Sequence, residues 1–106
     1  MNYTDIIEIK ILSGEENIHT LRAMIARAQK PRVLFVVPQR HPALQHVVRL
    51  KLLARQSFMK GVQVAFVSKE AAVRDAARQV NLSVFRSIKA AQRARNWYEA
   101  DAIPPP

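Results

Sequence analysis

Two runs that are apolar but for Arg32 at the head of one and Gln63 in the other constrain this chain more than anything else in it. Arg32–Val37 (RVLFVV) and Val62–Val67 (VQVAFV) are rich in β-branched residues, and neither alternates with polar ones. A strand that reads apolar on every residue is covered on both faces, which is how a central parallel strand reads. Pro38 closes the first run and Gly61 opens the second. Between them lies a segment of helical length, long enough for the crossover that joins parallel neighbours. Asp5–Leu12 (DIIEIKIL) sets Glu8 and Lys10 between isoleucines, as expected of an edge or half-exposed strand. Ser83–Arg86 (SVFR) supplies a short last strand.

Helical spacing fills the gaps. Ile18, Leu21, Ile25 and Ala28 share one face, with either Asn17 or a Ser13/Glu16 capping box before them. Lys30-Pro31 ends that helix, because proline disfavours α geometry in the residue before it. Pro42–Lys60 opens on a proline suited to a first helical turn, and Gly61 follows as its cap. Its expected inner face is broad: Leu44, Val47, Val48, Leu50, Leu53, Ala54 and Phe58. After Ser68 a third helix turns Val73, Ala76, Ala77 and Val80 inward, and Asn81 stands where a left-handed cap belongs. A fourth starts after Ser87 and runs toward Trp97 and Tyr98. The order β-α-β-α-β-α-β-α predicts a small α/β domain of two or three layers, Rossmann- or flavodoxin-like, with a four-stranded, mainly parallel sheet. The second and third strands are expected at its centre. The domain is expected to cover residues 1–102, and Ile103–Pro106 reads as the start of a proline-rich linker or tail.

RVLFVVP, a long helix containing RLKLLARQ, then GVQVAFVSKEAAVRDAARQVNLSVFRSIKAAQRARNW together resemble, over residues 5–98, the N-terminal α/β domain of some baseplate J-like proteins. The matching positions are Val64–Ser68, Val73-Arg74, Ala77, Val84-Phe85, Ser87, Ala91-Gln92 and Trp97. Two positions depart from that pattern. Ser68-Lys69-Glu70 stands where an acid directly follows the strand, and Asn81 or Leu82 replaces a glycine. The resemblance implies this fold and a multidomain context, and it supplies no catalytic residue.

Charge narrows the function classes. Seventeen Lys and Arg face eight Asp and Glu, a formal +9, and no acid occurs between Glu16 and Glu70. Such a field attracts nucleic acid, anionic lipid or an acidic protein surface. Arg49, Arg55, Arg86, Lys89 and Arg93 are the candidate polyanion patch. With no cysteine, disulfides, thiol catalysis and cysteine-held zinc are excluded, and a cytoplasmic protein is expected. The start MNYTDIIEIK lacks the basic and apolar regions of a signal peptide, and no apolar run is long enough to span a membrane.

Ligands of open parallel sheets gather beyond the carboxyl ends of the strands. There the candidate anion-binding residues are Arg40, Ser68, Lys69, Arg86 and Ser87, with both serines also read as helix caps. Phosphate loops are excluded, since only two glycines exist and neither lies in a Gly-rich motif. His41 and His46 are five apart, the wrong spacing for a helical zinc pair, and all three histidines are expected at the surface. Trp97 and Tyr98 are candidate interface residues. The leading expectation is a non-catalytic interaction or assembly module without a cofactor, with a protein partner or downstream domain. The alternatives are a nucleic-acid-binding domain and a small enzyme or sensor for an anionic metabolite. A homo-oligomer built on the edge strand or the last helix stays open.

Overall fold

Val33, Phe35 and Val37 leave the second strand on one side, and Leu34 and Val36 leave it on the other. Both sides therefore need cover, and the chain supplies it unequally. In the computed structural model, which describes residues 2–38 and 40–97, four strands form one parallel sheet: β1 (Ile7–Ile11), β2 (Arg32–Val36), β3 (Gln63–Val67) and β4 (Ser83–Phe85). They lie side by side in chain order, with β2 and β3 central as expected. Ile7 pairs with Arg32, Arg32 with Gln63, and Phe66 with Val84. The expected β1 range starts too early, because Thr4–Ile6 form a 3-10 turn.

Helices α1 (Ile18–Ala26), α2 (Val47–Lys60) and α3 (Ala71–Gln79) all pack on the first face. Leu21 and Ile25, Leu50 and Leu53, and Val73 and Ala77 close over Val33, Phe35, Val64 and Phe66, all fully buried or nearly so. Phe35 and Phe66 stack with centroids 5.8 Å apart. Each crossover thus returns to the same side, and the strand order never reverses. A doubly wound sheet reverses and so opens a crevice at the switch point. This sheet is wound once and has none.

Asn17 caps α1, accepting from Thr20 N at 2.9 Å. Gly61 ends α2 with φ +78°, and Asn81 follows α3 at φ +58°, both in the left-handed region expected of them. The expected Pro42–Lys60 helix divides in two: a 3-10 turn over Pro42–Leu44, then α2 from Val47. Its expected inner face also needs correction. Leu50, Leu53, Ala54 and Ser57 face the core, while Val48 and Phe58 are 71% and 59% exposed. Those two lie well round the helix from the core row, and α2 carries more apolar residues than one sheet face can bury.

The second face is covered by α4 (Ile88–Arg93) and by the two ends of the described chain. The helix expected to reach Trp97 stops at Arg93, because the backbone turns extended at Ala94. That turn delivers two carbonyls to a buried cation. Arg32, 6% exposed, donates through Nη1 to Ala94 O at 2.9 Å and through Nη2 to Arg95 O at 2.5 Å. Its Nε donates to Gln63 Oε1 at 2.9 Å. The guanidinium lies 4.9 Å from the Trp97 ring centroid and 5.3 Å from that of Tyr3. Trp97 is 3% exposed and donates Nε1–H to Ala91 O. It is an inner residue rather than an exposed docking ring, while Tyr98 and Ile103–Pro106 lie outside the described residues.

Burial lowers the Arg32 pKa, offset in part by Tyr3, yet an arginine starts so high that it stays charged. Hydrogen bonds to a charged group contribute about 1.5–3 kcal/mol, and stranding their buried acceptors adds a penalty. Arg32→Ala is therefore expected to lower unfolding stability by about 3 kcal/mol, read from equilibrium urea denaturation. Arg32→Lys is expected to recover less than half of that, since an ammonium cannot fork to two carbonyls and Gln63 together. A loss under about 1 kcal/mol in both variants would show that the clamp is incidental.

Candidate functional site

The loops that follow β1, β2 and β3 are stitched together by their acids. Glu16 accepts from Ser13 N at 2.7 Å and Gly14 N at 3.0 Å, closing the first loop on itself. Across the gap it meets His41 Nε2 at 3.0 Å. A carboxylate only accepts, so Nε2 carries the proton. Gly14, at φ +105°, comes so close to the second loop that an added Cβ would lie 3.3 Å from Arg40 O. Glu70 makes the next stitch. It accepts from Gln45 Nε2 at 3.0 Å and, more weakly, from His41 N at 3.5 Å.

His41 is fully buried, contrary to the expected surface position, whereas His19 and His46 are exposed. Its burial follows from the Glu16 contact, which sequence reading missed. The Glu16–His41 pair has the arrangement of a base with its orienting acid. The ring is sealed from solvent, however, and Nδ1 has no partner among the described residues. Its geometry is that of a strut. Among the described residues no group of three or more His, Cys, Asp or Glu is placed to hold a metal.

With Glu16 and Glu70 so used, the cations at this end have no ion pair among the described residues. A cleft of about 420 Å³ opens beyond the carboxyl ends of β2 and β3, lined by Val36, Val37, Pro38, Arg40, Val67, Ser68, Lys69, Glu70 and Arg86. Four of the five expected anion-site residues thus come together: Arg40, Ser68, Lys69 and Arg86. Ser87 does not line the cleft; its hydroxyl accepts from Ala90 N at 3.1 Å and caps α4, as expected. Ser68, 2% exposed, does not cap α3. It accepts instead from Glu70 N at 3.1 Å, and Glu70 holds the cap position.

The expected polyanion patch is divided. Arg49 and Arg55 lie exposed on α2, above the first face of the sheet, and Lys89 and Arg93 lie exposed on α4, above the second. Arg86 belongs to the cleft. No single face carries all five.

A second surface was not legible as one in the sequence. The arc of α2 that points away from the core holds Val48 (71% exposed), Leu52 (37%) and Met59 (71%), spaced i, i+4, i+11, with Phe58 beside them. Arg49, Lys51, Arg55 and Lys60 are exposed around and within this stripe, and α2 contains no acid. The spacing is present in the sequence, but the expected inner face takes in Val48 and Phe58 and so breaks the row.

Comparison with known proteins finds no matching family model, no matching curated protein and no matching solved structure. Among the described residues no helix is long and apolar enough to cross a membrane.

Burial works to raise the Glu16 pKa, but the N–H groups of Ser13, Gly14 and Glu16 itself, with His41, outweigh it. They hold the carboxyl at about 2, against an ordinary 4.5. A depressed carboxyl stabilises the fold fully above about pH 4.5, and that stabilisation is lost as pH falls toward 2. It amounts to about 3 kcal/mol at neutral pH. Glu16→Gln is expected to cost most of this at pH 7, with the difference from wild type closing as pH falls from about 4.5 to 2. Urea denaturation at stepped pH measures it; a difference independent of pH would exclude the carboxylate as its source.

Proposed function

We propose that this chain is a non-catalytic docking module that joins a larger assembly through the outward arc of α2, and that its partner is an acidic amphipathic helix. The observation that carries this reading is the exposed stripe of Val48, Leu52, Phe58 and Met59 framed by Arg49, Lys51, Arg55 and Lys60. Scattered surface apolar residues need no explanation, but a helical row of them framed by one sign of charge is a face against which an amphipathic helix of opposite charge packs. The apolar row supplies affinity, and the cations select against a basic partner. A second copy of this chain is disfavoured as occupant, because pairing would set one basic frame against another.

The resemblance to the N-terminal domain of some baseplate J-like proteins supports an assembly role within a larger chain. The sealed Glu16–His41 pair supports a non-catalytic reading. A cytoplasmic setting goes with it, supported by the lack of cysteine.

The test is fluorescence anisotropy with a labelled amphipathic peptide that carries a leucine row flanked by glutamates, beside a counterpart flanked by lysines. The acidic peptide is expected to bind, and the lysine version is not. Val48→Asp and Met59→Asp are each expected to weaken binding at least tenfold, about 1.4 kcal/mol, with unchanged urea midpoints because both side chains are 71% exposed. Equal binding of the two peptides, or indifference to both variants, would refute α2 as the docking face. Tight, steeply salt-dependent binding of a DNA duplex, with no preference for the acidic peptide, would hand the basic field to nucleic acid instead.

A further inference from the structure

The cleft at the strand ends has a role separate from docking on α2. We infer that it binds a compact oxyanion of more than one charge, a phosphate ester or polycarboxylate, held by Arg40, Lys69 and Arg86.

Three observations support this. Arg40, Lys69 and Arg86 line one cleft of about 420 Å³, and none has an ion pair among the described residues. Gathering like charges around a recess costs energy, and an anion entering it removes that cost. The one acid on the wall among the described residues, Glu70, has its carboxylate oxygens engaged by Gln45 Nε2 and His41 N, and its single charge leaves the three cations in excess. Finally, Ser68 is a nearly fully buried polar side chain on the wall. Its oxygen takes the Glu70 N–H, and its hydroxyl proton has no acceptor among the described residues. That proton is a donor ready for a ligand oxygen.

The walls also restrict the ligand. Val36, Val37, Pro38 and Val67 lower the local dielectric, which strengthens each charged contact. Among the described residues no aromatic ring lines the recess to stack a nucleobase. Two arginines offer planar forks that fit phosphate and carboxylate alike, with the lysine as a point charge between them in the chain.

The experiment is an amide NMR titration of the whole chain with pyrophosphate in one arm and citrate in the other, total ionic strength being fixed with sodium chloride. Saturable shifts centred on residues 38, 40, 67–70 and 86 are expected in at least one arm, with Kd below about 1 mM, the weak end of specific binding. Saturation by pyrophosphate alone assigns the site to phosphate, and by citrate alone to carboxylate. Lys69→Gln and Arg86→Gln should each raise Kd at least fivefold, while Lys51→Gln on α2 should change it less than twofold. Shifts that never saturate, or that spread equally over α2 and α4, would overturn the inference and leave only a diffuse basic surface. Neither result bears on peptide docking to α2, so the two proposals fail separately.

Discussion

Arg32 opens a central strand, and its guanidinium holds the second face of the sheet closed. Once β2 lies between β1 and β3, that cation has no solvent route and no acidic partner among the described residues. An unpaired buried charge is tolerable only when its donors are met and its field finds a polarisable neighbour. Two carbonyls from beyond α4, the Gln63 amide and two aromatic rings meet that demand together. The position of α4, the burial of Trp97 and the anchoring of Tyr3 are consequences of the same requirement. Gln63, which pairs with Arg32 in the register, adds a bond from its Nε2 to Trp97 O at 3.1 Å.

Electrostatics at the other end of the strands follow the opposite logic. There the few acids are drawn inward to join loop to loop, and the cations are left at the rim. A net +9 alone says little about where positive potential concentrates. Three cations against the single charge of Glu70 concentrate it at the cleft, and the acid-free α2 concentrates it again on the helical layer. Both focal points arise where cations lack an ion-pairing acid among the described residues, rather than from unusual density of Lys and Arg.

Much of the fold was legible because it is written in local patterns. The continuous runs around Phe35 and Phe66 gave central strands, and Gly61 and Asn81 gave the helix ends where backbone sign demanded them. Four of the five residues expected at the anion site do line the cleft, and a topological rule alone placed them, since parallel strands bring their following loops to one end. What stayed hidden depended on contacts between residues far apart in the chain. Nothing local announces that His41 will be sealed by Glu16, or that Arg32 will be met by Ala94 and Arg95. The one available hint was an arginine at the head of an otherwise apolar central strand. The division of α2 between core and surface was hidden for another reason. Its apolar residues outnumber what the core takes, and periodicity ranks faces without saying how wide the buried one is.

Tyr3 donates its backbone N–H to Gln92 O at 2.8 Å, and its ring and that of Trp97 flank one guanidinium. The strands run in chain order across the sheet, yet the described chain begins and finishes within reach of a single side chain. The segments that flank the sheet on either side are thereby tied to each other through one cation. Strain applied to either segment reaches the other without passing through a strand, and the two come loose together when that cation is lost.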